Sequence, residues 1–116
     1  MRHHNSNRKF GRANDARRAL LRSLAGNLIV HEKIVTTEAK AKELKSFVEK
    51  IITKGKDDSV SSRRLVTQDL IVPKYADKII KVISPKYKDR KGGYTRIVKL
   101  GARGGDGSKM AIIEFV

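Results

Sequence analysis

The chain has 116 residues and a mass of 13.0 kDa, a size that predicts one domain with a single modest core. Lysine and arginine number 27 against 12 acidic residues, and the resulting formal net charge of +15 favours a nucleic-acid partner. The absence of cysteine excludes disulfides, thiol catalysis and cysteine-built zinc modules, and the lack of any apolar run near the ~20 residues that span a bilayer predicts a cytoplasmic protein with no membrane partner.

Residues 1–13 form a basic stretch that we expect to act as an N-terminal arm. The stretch contains no acidic residue, and Phe10 is its one large apolar side chain beyond Met1. Such a segment buries too little apolar surface to offset its ordering entropy, so we expect it to become ordered on a polyanion. Its candidate phosphate- or base-binding side chains are Arg2, His3, His4, Arg8, Lys9 and Arg12.

Residues 14–116 are predicted to form a single α+β domain. Capping residues, helical apolar spacing and β-branched runs predict elements in the order α-β-α-α-α-β-β. The predicted elements are a helix from Asn14 to about Val30, a strand at 33–36, a helix over 37–56, a helix from about Val60 to Asp69, a helix from Pro73 that ends at Ser84 and Pro85, and strands at 94–100 and 110–116. The last two strands should pair as a hairpin and recruit the first, which gives a two-layer α/β domain with a small three-stranded mixed sheet.

The first predicted helix carries both an apolar stripe and several arginines. With Leu24 at the centre of the buried face, Arg18 and Arg22 fall on the far side and form a cationic face. Arg17 falls near the stripe in the first turn, where its long stem can reach past the core to solvent or phosphate. Gly26 lies near Arg22, and it either receives a close neighbour or is simply tolerated at a cost of about 1 kcal/mol relative to alanine.

The segment from residue 85 to 109 combines glycines with cations and predicts a rim that faces nucleic acid. Glycine lets a backbone approach phosphate closely, and lysine and arginine release counterions; alternatively, the glycines serve turn geometry and the charges solvate a hairpin. Tyr94 either stacks on an unpaired base or packs inside the domain. The rim contains Lys86, Lys88, Arg90, Lys91, Gly92, Gly93, Arg96, Lys99, Arg103 and Lys109, and the third helix adds Arg63 and Arg64.

Sequence motifs for catalysis, nucleotide binding and metal ligation are absent. The GGDG string at 104–107 precedes a predicted strand, so the helix that a dinucleotide-binding motif requires does not follow it. Asp57 and Asp58 lie where a helix cap is needed, and the three histidines lack metal-ligand spacing. We therefore expect a protein that is not an enzyme and has no cofactor, no metal and no small-molecule substrate.

Several strings along the chain resemble one family. They are MRHHNSNRKFGR, RRALLRSLA followed by HEKIVTTEAKAKEL, SVSSRRL, and RKGGYTRIVKLGARGGDGSKMAIIEFV. In this order and at this spacing they resemble the bacterial large-subunit ribosomal protein seventeen family over essentially the whole chain, and TTEAKAKEL with GGYTRI is the most specific part. The resemblance implies a two-layer α/β fold and a structural role on large-subunit ribosomal RNA, beside neighbouring large-subunit ribosomal proteins near the polypeptide exit.

The resemblance also implies two contact surfaces. The residues that would enter ribosomal RNA are Arg2, His3, Arg8, Lys9, Arg12, Arg17, Arg18 and Arg22. The residues that would form a second surface are Arg63, Arg64, Arg90, Gly92, Gly93, Tyr94 and Arg96.

The sequence thus predicts a non-enzymatic structural constituent of the ribosome, a ribonucleoprotein component that acts in translation in the cytoplasm. One alternative is a DNA-binding, nucleoid-type basic protein, because composition alone does not separate duplex DNA from RNA. A peripheral membrane protein is a further alternative, but the apolar stripe of the first helix lacks Trp and Phe and is needed for the core.

Overall fold

The computed structural model describes residues 14–57 and 59–116. The predicted arm, residues 1–13, lies outside the described residues. The elements in chain order are α1 (Asn14–His31), β1 (Lys33–Thr37), α2 (Glu38–Gly55), α3 (Val60–Leu70), α4 (Pro73–Lys78), a π-helical turn (Ile79–Ile83), α5 (Ser84–Lys86), β2 (Thr95–Ala102) and β3 (Lys109–Phe115). The predicted α+β class and the predicted order of helices and strands are confirmed.

The three strands form one sheet in the order β1-β3-β2, and both neighbouring pairs are antiparallel. The predicted hairpin and its recruitment of the first strand are therefore confirmed. The prediction of a mixed sheet is wrong, because β1 and β2 run in the same direction but β3 lies between them. No parallel ladder forms among the described strands.

β1 and β2 are the edge strands of this sheet. Lys33 on β1 and Arg96 and Lys99 on β2 are exposed cations. The pairing of β2 with β3 shifts register between Lys99 and Gly101, and Gly101 has a φ of 100°, which makes this a β-bulge at a glycine. Charge on both edges and a bulge on one of them interrupt the template for further strand pairing.

The core lies between the helices and one face of the sheet, with α2 at its centre. Thr37 caps α2 by accepting a hydrogen bond from the Lys40 N–H at 3.4 Å. α2 contacts α1, α3 and all three strands. The predicted stripe is confirmed at its buried members, which are Leu44, Val48, Ile51 and Ile52. Phe47 is half-buried and lies at the margin of the core.

The register of α1 differs from the prediction. The buried residues of α1 are Leu21, Ala25, Gly26, Leu28 and Ile29. Leu24 is half-buried, so the buried face is centred near Ala25 rather than on Leu24. A Cβ on Gly26 would lie 2.6 Å from Cε2 of Tyr75, which shows that Gly26 receives a close neighbour. The ring of Tyr75 packs against α1 at the place where no side chain intervenes.

The helical region that begins with α4 does not end at Pro85 as predicted. Proline lacks an N–H and clashes with the carbonyl four residues before it, so it usually breaks a helix. Here the π-helical turn precedes it, and the Ser84 N–H donates to the Ile79 carbonyl, five residues earlier. This wider turn shifts the hydrogen-bond pattern before the proline, and the helix continues to Lys86.

α3 ends in a strained turn centred on Ile71. Ile71 has φ 67° and ψ −42°, and the Val72 N–H donates to the Leu70 carbonyl at 2.8 Å. This geometry is a γ-turn with positive φ, which is rare for any residue and strained for a β-branched one. The strain lies in an exposed side chain, because Ile71 is 58% exposed.

Replacing Ile71 with glycine is expected to raise the free energy of unfolding by about 1 kcal/mol, because glycine removes the Cβ strain and little apolar burial is lost. Urea unfolding followed by circular dichroism measures the change. Ile71→Ala is the matched control, since alanine keeps the Cβ and therefore the strain. An equal gain in both variants would contradict a strained backbone at this position.

Candidate nucleic-acid interface

The segment of residues 86–93, here called the 86–93 turn, follows α5 and leads into β2. Its backbone is held locally, since the Arg90 N–H donates to the Tyr87 carbonyl at 2.9 Å. The cations of the turn, Lys86, Lys88, Arg90 and Lys91, are all exposed. Lys86 lies 3.7 Å from a Glu32 oxygen, and the other three side chains make no ion pair within the described residues. The turn therefore presents cations to solvent from a fixed backbone.

Tyr94 anchors the 86–93 turn from inside the domain. Its side chain is 0% exposed, and its ring centroid lies 5.2 Å from that of Tyr87. The Tyr94 hydroxyl donates to the Arg90 carbonyl at 3.3 Å. Lys56 Nζ lies 4.6 Å from the centroid of the Tyr94 ring and also donates to the Arg90 carbonyl. Of the two predicted roles, packing is the one the structure supports, because a buried ring has no face free to stack on a base.

The surroundings of Tyr94 tie the turn to α2. Burial raises the pKa of the Tyr94 hydroxyl, but the adjacent Lys56 ammonium and Thr53 hydroxyl outweigh burial, so the net pKa lies below its ordinary value. Next along the chain, a Glu49 carboxylate oxygen accepts hydrogen bonds from the Thr95 N–H at 3.2 Å and from the Thr95 hydroxyl at 2.9 Å. These contacts join the start of β2 to the middle of α2.

Gly93 has a φ of 66°, whereas Gly92 does not have a positive φ, and a Cβ at either position would meet nothing within 4 Å. Gly93→Ala is therefore expected to lower the free energy of unfolding by about 1 kcal/mol through backbone strain alone. Gly92→Ala is the matched control and should change stability by only a few tenths of a kcal/mol. Thermal unfolding measures both, and equal losses would contradict a conformational role for Gly93.

A shallow cavity of about 500 Å³ continues from the turn onto α2. Lys91 lines the cavity at the turn, and Lys50 and Lys54 line it from α2. Glu49 is the acidic residue in the lining, and its carboxylate is occupied by Thr95. The three lysines thus lie along one surface that extends from the 86–93 turn across α2.

The line of cations continues from α2 to α1 through Asp69. Lys54 Nζ lies 2.8 Å from Asp69 Oδ2, and the Asp69 carbonyl accepts from Arg22 Nε at 3.0 Å. Arg18 lies one helical turn before Arg22 and lines a second cavity together with Arg22, Phe47 and Asp69. We call the continuous set of cations the basic track; it consists of Lys91, Lys50, Lys54, Arg22 and Arg18.

Arg18 and Arg22 are not on the far side of α1, as predicted. Both lie beside the packed face, because the buried stripe is shifted relative to the predicted register and the two side chains turn toward α2 and α3. Lys50 and Lys54 are not among the sequence-predicted residues. Their (i, i+4) spacing beside the apolar stripe of α2 is the signal that would find them.

Arg17 is held inside the protein. Its Nη2 lies 2.6 Å from Glu43 Oε1, and its side chain is 14% exposed, with a buried Nε that has no partner. The ion pair joins α1 to α2. The stem therefore does not extend to solvent, and the guanidinium serves helix packing rather than a surface contact.

The two arginines of α3 differ in their surroundings. Arg63 Nη1 lies 2.9 Å from Asp77 Oδ1. Arg64 is exposed and makes no ion pair within the described residues. Both line a shallow apolar groove on α3, apart from the basic track.

The predicted rim is divided into two places. The 86–93 turn and the loop at 103–108 lie at opposite ends of β2, which at 3.3 Å per residue separates them by about 23 Å. Arg103 shapes the loop, since its Nε and Nη2 donate to Asp106 at 3.1 and 2.7 Å and hold the pKa of that carboxyl well below its ordinary value. Lys109 is exposed at the start of β3, and Arg96 is exposed with Nη2 3.3 Å from Glu114.

The arm residues lie outside the described part of the chain, so their predicted contacts stay predictions. They are Arg2, His3, His4, Arg8, Lys9 and Arg12.

Comparison with known proteins assigns the chain to a family. Residues 20–116 match the family model described as ribosomal protein L17. The chain belongs to the ribosomal protein L17 family. A relative from Trichlorobacter lovleyi, named large ribosomal subunit protein bL17, is 46% identical over the whole chain and 94% of its own length. A relative of the same name from Halalkalibacterium halodurans is 51% identical over 93% of this chain and 97% of its own length.

The L17 family match includes most of the candidate interface. It contains the 86–93 turn and every member of the basic track except Arg18. Within residues 14–57 and 59–116 of this L17 chain, no helix is long and apolar enough to cross a bilayer. The same residues contain no group of three or more His, Cys, Asp or Glu side chains that could hold a metal ion.

Proposed function

We propose that this L17-family chain is a non-enzymatic structural constituent of the large ribosomal subunit that binds large-subunit ribosomal RNA. The observation that carries the proposal is the basic track together with the 86–93 turn, a continuous line of cations across α1, α2 and the start of β2. Neutralising phosphates with such side chains releases counterions and supplies most of the affinity of basic proteins for RNA. The names of the relatives, large ribosomal subunit protein bL17, agree with this role.

The 86–93 turn supports RNA binding because its backbone is fixed before any partner arrives. Tyr94 and Lys56 both bond the Arg90 carbonyl, and Tyr87 packs against Tyr94. A segment that is already ordered loses less conformational entropy on binding, so more of the phosphate interaction contributes to affinity. Gly92 and Gly93 leave open space around the backbone, which suits a close approach by a phosphate.

Residues 14–116 would act as one domain that docks on the RNA surface, while the arm at 1–13 enters between RNA helices. The arm joins the domain at the start of α1, four residues before Arg18 in the basic track. The protein would work in the cytoplasm as part of the ribosome, in translation, and needs no cofactor for this role.

A second surface suits a neighbouring ribosomal protein. Val35, Ile112 and Val98 lie opposite one another in the sheet and therefore share its outer face. Val35 and Val98 are exposed there. Apolar side chains do not bind phosphate, so this face fits a protein partner within the subunit better than it fits RNA.

A competition experiment tests the proposed function. The full chain is titrated with transcribed large-subunit ribosomal RNA and with duplex DNA of random sequence at matched salt, and binding is followed by filter retention. We expect the ribosomal RNA to bind at least about tenfold more tightly. A preference for duplex DNA would support the alternative of a nucleoid-type DNA-binding protein.

A further inference from the structure

A cavity of about 270 Å³ lies where α1, α2 and α3 meet. It is lined by Arg18, Arg22, Phe47 and Asp69. Its volume is near the lower limit of small-ligand pockets, which suits one planar ring system rather than a larger molecule. We propose that this cavity binds an unpaired guanine base of the RNA. The inference rests on the proposed function and adds to it a binding site for one base.

Phe47 would supply the stacking surface. Its neighbours in the apolar stripe of α2, Leu44, Val48 and Ile51, are fully buried, whereas Phe47 is half-buried and lines the cavity. A phenylalanine at the margin of a core, beside two arginines, combines an aromatic surface with cations. Proteins that bind unpaired bases use this combination, because every base has a π-face and is attached to a phosphate.

Arg22 would supply hydrogen-bond donors in a fixed orientation. Its Nε donates to the Asp69 carbonyl at 3.0 Å, which orients the planar guanidinium. The terminal nitrogens of Arg22 make no hydrogen bond within the described residues. An arginine fork matches the acceptors O6 and N7 of guanine. Arg18, exposed one turn earlier and without an ion pair in the described part of the chain, would contact the phosphate of the same nucleotide.

Asp69 would supply the acceptor that distinguishes guanine from adenine. Its Oδ2 is bound by Lys54 Nζ at 2.8 Å, and its Oδ1 has no partner among the described residues. Guanine presents N–H donors at N1 and N2 next to its O6 acceptor. Adenine instead presents an acceptor at N1, which would face the carboxylate unfavourably. An arginine and a carboxylate on one cavity therefore favour guanine.

The test uses fluorescein-labelled single-stranded RNA pentamers, UUGUU and UUAUU, titrated with the full chain at low, matched salt and followed by anisotropy. We expect UUGUU to bind about tenfold more tightly than UUAUU. Arg22→Lys keeps the charge but loses the fork, and it should abolish the preference. Arg64→Lys, the same change at an exposed arginine outside the cavity, is the matched control and should leave the preference unchanged.

The stacking role of Phe47 has its own pair of variants. Phe47→Leu keeps an apolar side chain and should weaken UUGUU binding about tenfold, whereas Phe47→Tyr keeps the ring and should restore it. If Phe47→Leu does not fold, Arg22→Lys alone decides. Equal affinities for the two pentamers, or a preference that persists in Arg22→Lys, would overturn the inference. Such a result with ribosomal RNA still preferred over duplex DNA overturns the guanine site alone, while a preference for duplex DNA overturns the proposed function.

Discussion

Replacing Tyr94 with alanine is expected to lower the free energy of unfolding by about 3–5 kcal/mol, the usual cost of truncating a large buried aromatic side chain. The ring is fully buried, packs against Tyr87 and lies beneath Lys56. Removing it leaves a cavity under the 86–93 turn and takes away one of the bonds to the Arg90 carbonyl. Urea unfolding followed by circular dichroism measures the loss.

Tyr94→Phe is the matched control for this prediction. It keeps the ring and removes only the hydroxyl, which bonds Arg90 and lies 3.2 Å from the Thr53 hydroxyl. We expect a loss of about 1 kcal/mol. If the alanine variant lost no more than the phenylalanine variant, the ring would not anchor the turn.

Neutralising three cations of the basic track is expected to weaken binding to ribosomal RNA about a hundredfold at roughly 0.1 M salt. The variant Arg18→Gln, Lys50→Gln and Lys91→Gln changes exposed side chains that make no ion pair within the described residues. Each lost phosphate contact should also reduce the magnitude of the log–log salt slope by about 0.7–0.9. Filter-binding titrations at several salt concentrations measure both quantities.

The control variant has the same net charge but changes cations away from the track. Lys33, Lys74 and Lys81 are exposed on β1, on α4 and in the π-helical turn, and they make no ion pair within the described residues. Changing all three to glutamine should leave the salt slope nearly unchanged. Equal effects of the two triple variants would mean that net charge alone, and not the track, determines binding.

Elements with strong local signals could be predicted from the sequence. The stripe of α2 has a clear helical period, and Thr37 caps its start, so its existence, type and buried face are confirmed. The hairpin of β2 and β3 is likewise confirmed, since two β-rich runs flank a glycine-rich loop. In both cases short-range preference and long-range packing favour the same structure.

The errors occur where distant residues decide the outcome. The face of α1 that is buried depends on Tyr75, which packs on Gly26 from a helix far along the chain. Local rules end a helix before Pro85, but the π-helical turn accommodates the proline. Neither partner is visible in the local sequence, so periodicity and capping rules alone do not predict these features.

The candidate site shows the same division. The cations of the 86–93 turn could be predicted, because glycines and lysines lie together in the chain. The basic track could not, because Lys50 and Arg22 belong to different helices and come together only through Asp69 and the shared cavities. Tyr94 was ambiguous from the sequence because tyrosine suits both a core and a base-stacking surface.

The edge strands have a consequence for the protein before it meets RNA. A second copy that paired along β1 or β2 would bring Lys33, Arg96 or Lys99 close to like charges, and the bulge at Gly101 would misalign its backbone. Fibrillar aggregation through these strands is therefore disfavoured. Newly synthesised chains would stay soluble while they wait for incorporation, and charges suited to phosphate would also protect the unassembled pool.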